Sequence, residues 1–182
     1  MSWKHAFTKT LLSLLSIGLT LAIVELQPTR QAHADVPVAP GPNFNAPDFR
    51  KAFFDAARIY GKAGCGDMDL AEMTARHSIR SGVPANLLAA VVAIESSCNP
   101  LAISNKGAVG LTQVYVKVQA DKFAQFRAIN LFDPEQNMRV GTDILRDDIA
   151  QFGGMKQGVS HYNGTGPDAD AYAVKVLALA GK

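Results

Sequence analysis

The residue best suited to chemistry in this 182-residue chain is Glu95, which directly follows an apolar run. Residues 83–94 read VPANLLAAVVAI, with Pro84 placed for a first helical turn, and they predict a helix buried on nearly all faces. Burial and the negative end of the helix dipole both favour the neutral form of a carboxyl group there. Glu95 is therefore predicted to donate a proton near neutral pH. An exposed glutamate that merely ends the helix is the open alternative.

The twenty residues after Glu95 have the composition of a ligand-binding loop. Asn99 and Pro100 end the helix, and residues 104–106 are polar. Gly107 and Gly110 stand where the backbone must bend tightly or approach a ligand closely. Gln113 adds an amide three residues after the second glycine. A buried acid, a small-residue loop and an amide together predict a cleft for a polysaccharide.

Ordered motifs in this region resemble the soluble lytic transglycosylase (SLT) domain, a lysozyme-like family that cleaves peptidoglycan. The first block consists of Glu95-Ser96, Asn99-Pro100, Ala102, Ser104, Gly107-Ala108, Gly110-Leu111 and Gln113. The second consists of Asp133-Pro134, Asn137, Gly141, Leu145, Tyr162-Asn163-Gly164, Tyr172 and Val176. The resemblance covers roughly residues 80 to 180, and several motifs in order are more specific than any one alone. It implies a mostly α, lysozyme-like single domain over residues 46–182.

The resemblance also implies the site residues. Glu95 would be the catalytic acid, and the candidate substrate-binding residues are Ser104, Gln113, Tyr115, Tyr162 and Asn163. Ser104 and Gln113 would hold polar groups of the sugar, and Tyr162 would hydrogen-bond at the carboxyl group or at the reacting sugar. Asn163 is also a candidate for supporting the end of a helix.

Two positions depart from the family pattern. Tyr115-Val116 replaces a common Met-Pro pair, and His161 replaces a small residue before the tyrosine. His161 either fills space or contacts substrate, and the sequence does not decide between these roles.

A single acid suffices for this chemistry because N-acetylmuramic acid carries its own C6 hydroxyl nucleophile. By resemblance, Glu95 would protonate the glycosidic oxygen and then take the C6 proton, which leaves a 1,6-anhydro end without consuming water. No cofactor and no metal are expected. One alternative is a muramidase, in which Asp168 or Asp170 would be the second acid that activates water. The other is a protein that binds or assembles on peptidoglycan without cutting it.

The N-terminus predicts export. Residues 1–34 combine early basic residues, an uncharged run over 11–24 and small residues at Ala32 and Ala34, as in a secretory signal peptide cleaved after Ala34. An uncleaved anchor is the alternative. Residues 35–45 predict a flexible leader. Without residues 1–34 the chain has 15 basic and 15 acidic residues, which argues against a nucleic-acid partner.

A periplasmic or secreted protein whose partner is peptidoglycan is therefore expected. It would serve wall recycling or an envelope-spanning secretion, conjugation or pilus assembly, and nothing in the sequence demands more than a monomer. Whether cleavage occurs within a glycan strand or at its end depends on the shape of the cleft, which the sequence does not reveal.

Both cysteines lie in the exported part. Because an even pair in an exported protein is most simply a disulfide, Cys65 and Cys98 are predicted to bond and to tie the N-terminal segment to the end of the helix that carries Glu95. A metal pair or a nucleophile is disfavoured, since there is no CxxC motif and only His77 and His161 follow the leader.

Helical periodicity and capping signals predict the remaining elements. One helix begins at Pro47, a second is N-capped by Asp69 and ends at Gly82, and a later one is N-capped by Asp133. A small hairpin is possible near residues 104–111. The other predicted helices cover residues 114–126, 155–162 and 170–180.

Overall fold

The computed structural model describes residues 43, 45–115 and 130–182. These residues form six helices: α1 (Pro47–Ala63), α2 (Met68–Ser81), α3 (Ala85–Ser96), α4 (Pro134–Gln151), α5 (Met155–Asn163) and α6 (Pro167–Ala180). The prediction of a mostly α domain is confirmed. In the described ranges, two isolated antiparallel bridges, Ile103 with Val109 and Val109 with Val114, stand where the small hairpin was predicted.

Three predictions lie wholly or largely outside the described residues. They are the signal peptide at 1–34, the leader at 35–45 and the helix at 114–126. Among the residues that are described, none of the helices is long and apolar enough to cross a membrane.

Helix α3 is the centre of the hydrophobic core, as its composition predicts. Leu87, Leu88 and Val92 are fully buried, and α3 packs against α1, α2 and α6. Burying one such side chain stabilises the fold by roughly 1.5–3 kcal/mol. Helix α1 contributes its predicted apolar stripe, including Ile59 and Tyr60. Helix α3, which carries Glu95 in its last turn, is therefore surrounded by packed helices along most of its length.

Two predicted helix starts are wrong by a few residues. Helix α2 is capped by Asp67, not Asp69, because the Asp67 carboxylate accepts a hydrogen bond from the Leu70 backbone N–H at 2.8 Å. Helix α6 begins at Pro167 rather than at residue 170, since proline fits the first helical turn.

The cap of α4 is confirmed, because Asp133 accepts from the Gln136 backbone N–H at 2.9 Å. The Gln136 side chain accepts from the backbone N–H of Asn130 at 3.1 Å, which fixes the residues just before α4.

Helices α2 and α4 are joined by charged side chains. Glu135 of α4 hydrogen-bonds with Arg76, and its other carboxylate oxygen lies 2.9 Å from His77 Nε2. Arg80, one turn after Arg76 on α2, makes a 3.0 Å ion pair with Asp143 of α4. These contacts set the position of α4, which forms one side of the site described below.

The predicted disulfide is present in the structure. Cys65 follows α1, and Cys98 lies two residues beyond the end of α3. The backbone at Ser97 and Cys98 has φ values of 50° and 63°, in the left-handed region, so the chain turns sharply directly after Glu95 and Ser96. The bond therefore links the segment after α1 to this turn.

Candidate active site

One cleft brings together every predicted catalytic and substrate-binding residue. It has a volume of about 430 Å³. Its walls include the predicted residues Glu95, Ser104, Gln113, Tyr115, Tyr162 and Asn163. The prediction from spacing and resemblance thus identified residues that lie together, although they come from α3, the loop that follows it and α5.

Glu95 lies in the last turn of α3 at this cleft. Burial raises the pKa of its carboxyl group to about 6. A contact with Tyr172 of α6 opposes part of this effect. The contact is loose, since the buried Tyr172 hydroxyl meets no acceptor at ordinary hydrogen-bond geometry among the described residues. Glu95 is therefore largely protonated at mildly acidic pH, as a general acid must be.

The floor of the cleft is a loop held by one buried amide, that of Asn137 in α4. Asn137 Nδ2 donates to the carbonyl oxygens of Val109 (2.8 Å) and Leu131 (3.0 Å). Its Oδ1 accepts from the backbone N–H of Thr112 at 2.9 Å and from the Thr112 hydroxyl at 2.7 Å. All the side chain's hydrogen-bonding capacity is used, which fixes the loop against α4.

Two glycines make this close contact possible. A Cβ atom on Gly110 would lie 2.1 Å from Asn137 Nδ2, and one on Gly141 would lie 2.1 Å from Thr112 Oγ1. Gly110 also has a φ of 79°, which favours glycine. The sequence indicated a close approach at Gly110, but the partner is α4 of the same chain.

Ser104 and Gln113 line the cleft and also brace its loop. Gln113 Nε2 donates to the carbonyl oxygens of Ala102 (3.1 Å) and Gly110 (3.0 Å), and the Gln113 backbone has a φ of 49°. Ser104 Oγ accepts from the Ala108 backbone N–H at 2.9 Å. Their side chains are thereby oriented before any ligand binds.

Tyr162 connects this loop to α5. Its hydroxyl donates a 2.7 Å hydrogen bond to the carbonyl oxygen of Thr112. Burial, and then the nearby charge of Glu95, raise the pKa of Tyr162 well above its usual range. The phenol is therefore neutral, and its oxygen retains a lone pair that can accept a hydrogen bond.

Neither residue considered as a second acid lines the cleft. Asp168 and Asp170 lie in the exposed first turn of α6, and Asp170 accepts a 2.9 Å hydrogen bond from Ser160. Among the described residues, Glu95 is the one carboxylate in the cleft wall. The described ranges also contain no cluster of three or more His, Cys, Asp or Glu side chains arranged to hold a metal ion.

Sequence reasoning did not assign several cleft residues. Lys106 and Thr165 line the walls, and the contact of Tyr172 with Glu95 joins positions 77 residues apart. Tyr172 was visible as part of a motif, but its position beside the acid depends on how α6 packs on α3. His161, marked by its departure from the family pattern, lies in the cleft wall.

Comparison with known proteins supports this description. Residues 72–175 match the transglycosylase SLT domain family. The chain is 40% identical over 81 residues to membrane-bound lytic murein transglycosylase C of Edwardsiella ictaluri, an alignment that covers 41% of this chain and 23% of that protein. It is 31% identical over 96 residues to a transglycosylase of Enterobacteria phage PRD1, which covers 53% of this chain and 34% of the phage protein.

This chain thus spans about a quarter to a third of the length of these relatives. The family match, in contrast, extends over more than half of the chain and includes α3, the cleft loop, α4 and α5. The chain therefore belongs to the transglycosylase SLT domain family.

Proposed function

We propose that this protein is a lytic transglycosylase that cleaves the β-1,4 bond between N-acetylmuramic acid and N-acetylglucosamine in peptidoglycan. The observation that carries the proposal is Glu95, a partly buried carboxyl group with a pKa raised to about 6 in a cleft wall with no other carboxylate among the described residues. The similarity to a membrane-bound lytic murein transglycosylase C supports the same substrate.

The reaction needs one acid that acts twice. Protonated Glu95 donates its proton to the glycosidic oxygen as the bond to the muramic acid C1 breaks. The resulting carboxylate takes the proton of the C6 hydroxyl while O6 bonds to C1. Glu95 is then protonated again, and the products are a 1,6-anhydromuramoyl end and a free N-acetylglucosamine 4-hydroxyl. Water is not consumed.

The other cleft residues orient the sugar in this proposal. Ser104 and Gln113 line the same cleft as the acid on a loop fixed by Asn137, so they offer preorganised polar atoms to sugar hydroxyl and acetamide groups. Tyr162 lies near enough for the charge of Glu95 to affect its pKa, and its oxygen can accept a hydrogen bond from the reacting sugar. Tyr115 and Asn163 also line the cleft.

Product analysis tests the proposal. Residues 35–182 and a Glu95→Gln variant would be incubated with isolated peptidoglycan, and the soluble muropeptides measured by mass spectrometry. Anhydro ends, lighter than reducing ends by one water, are expected from the native protein and not from the variant. Reducing ends would identify a muramidase with a second acid outside the described residues. Glycan binding without soluble product would favour the binding or assembly role.

We also propose that the protein is exported and cleaved after Ala34, and that it acts in the periplasm. The predicted signal peptide and the disulfide between Cys65 and Cys98 support this location. Intact mass of the protein recovered from the periplasm should correspond to residues 35–182. A mass that retains residues 1–34 would indicate an uncleaved anchor instead.

A further inference from the structure

His161 is a residue of the cleft wall whose ring contacts two other side chains. It lies in the last turn of α5, next to Tyr162. Its ring stacks on Phe152 with centroids 3.7 Å apart and planes 19° apart. Its Nδ1 lies 3.3 Å from Oδ1 of the buried Asp148. Asp148 and Phe152 are four residues apart, so they project from neighbouring turns toward the same ring.

The two ring nitrogens of His161 have different environments. Nδ1 is buried and faces the Asp148 carboxylate, in a contact less well aligned than an ordinary hydrogen bond. The side chain is nevertheless 39% exposed and lines the cleft, so the ring remains accessible to a ligand there. A carboxylate beside Nδ1 favours the neutral tautomer that carries its proton on Nδ1. In that tautomer Nε2 is a hydrogen-bond acceptor on a ring that lines the cleft.

A space-filling role explains less of this arrangement. A phenyl ring would stack on Phe152 equally well, but it has no nitrogen to place beside the Asp148 carboxylate. Stacking and the contact of Nδ1 with Asp148 together hold the imidazole in one orientation, so little conformational entropy is lost when a ligand binds to it. Such preorganisation is typical of a binding residue.

We propose that His161 is a specificity-determining residue that binds substrate. Its Nε2 accepts a hydrogen bond from a hydroxyl or acetamide N–H of an amino sugar in the cleft, and Asp148 and Phe152 position the ring. This inference rests on the proposed function for the identity of the sugar. The group that it recognises belongs to the glycan backbone and not to the peptide stem.

Binding measurements in a Glu95→Gln background test this role without cleavage. The probe is a stem-free tetrasaccharide of alternating N-acetylglucosamine and N-acetylmuramic acid. His161→Phe, which retains the stacked ring, is expected to raise the Kd about fivefold to tenfold, the equivalent of one neutral hydrogen bond. His161→Gln, whose amide reaches the position of Nε2, is expected to restore the Kd to within about twofold.

Asp148→Asn tests the positioning contact independently. It should weaken tetrasaccharide binding when His161 is present and have no effect in the His161→Phe background. The reason is that Asp148 acts only through the hydrogen bond that His161 Nε2 makes with the sugar. If His161→Phe does not fold, as judged by circular dichroism, the other two variants provide the test. A raised Kd for Asp148→Asn and a Kd within about twofold of the native value for His161→Gln would support the proposal, and an unchanged Kd for Asp148→Asn would overturn it. An Asp148→Asn effect of equal size in both backgrounds would remove Asp148 from the mechanism.

The outcomes separate this inference from the proposed function. An unchanged Kd in His161→Phe, while the native chain still cleaves peptidoglycan, would overturn only the role of His161. Weaker binding that appears with stem-bearing strands alone would overturn it as well, because peptide carboxylates would then be the ligand. Weaker tetrasaccharide binding in His161→Phe, together with no cleavage by the native chain, would support the binding role and refute the transglycosylase.

Discussion

Replacing Glu95 by glutamine should stabilise the protein near neutral pH while it removes activity. Burial raises the pKa of Glu95 from 4.5 to about 6, so the folded state binds this proton more tightly than the unfolded state does. Each pKa unit corresponds to about 1.36 kcal/mol, which gives a cost of about 2 kcal/mol once Glu95 is ionised. That cost appears as pH rises through the interval between the two pKa values, and glutamine avoids it.

Urea unfolding at two pH values measures the effect. At about pH 7.5 the variant should exceed the native protein by up to about 2 kcal/mol in the free energy of unfolding, and at about pH 4 the difference should vanish. The matched control is Glu135→Gln. Burial alone would raise the pKa of Glu135, but its hydrogen bonds with Arg76 and His77 outweigh burial and lower it.

The Glu135→Gln variant should therefore have a lower free energy of unfolding than the native protein at the higher pH, which is the opposite of the change expected for Glu95→Gln. An equal gain for Glu95→Gln at both pH values would refute the reasoning, since that gain could not arise from ionisation. The same proton should appear in the kinetics. The value of kcat/KM for peptidoglycan is expected to fall as pH rises above about 6, because the free enzyme then loses its acid.

Substitutions at two glycines and at the disulfide test the scaffold. Gly141→Ala should lower the free energy of unfolding by about 1–3 kcal/mol and reduce cleavage, because its Cβ would meet Thr112 at 2.1 Å, whereas Gly61→Ala in open space on α1 should raise it by up to about 1 kcal/mol. Similar urea midpoints for the two variants would contradict the close contact between Gly141 and Thr112. Replacing Cys65 and Cys98 by alanine should cost about 3–4 kcal/mol in the same assay on the chain-entropy account, and a loss below about 1 kcal/mol would argue against it.

The sequence was sufficient for the features that depend on local patterns. An apolar run followed by an acid predicted α3, at whose end Glu95 is partly buried, and an even number of cysteines in a chain predicted to be exported indicated their bond. Predicted site residues from three parts of the chain lie in one cleft. In each case the signal is contained in the residues themselves or in the order of motifs.

Features that depend on contacts between distant segments were not predictable. The cap of α2 was predicted at Asp69 but lies at Asp67, because both residue types are good caps and local sequence does not distinguish them. The donation from Tyr162 to the carbonyl oxygen of Thr112 spans 50 residues. The use of Asn137 as the support of the loop likewise required the position of α4.

The Asn137 amide joins two stretches that are distant in the sequence. It donates to the carbonyl oxygen of Val109, in the cleft loop, and to that of Leu131, just before α4. One side chain of α4 therefore holds both stretches at the same time. A substitution at Asn137 would release them together, so the loop that carries Ser104 and Gln113 depends on a residue that does not itself line the cleft.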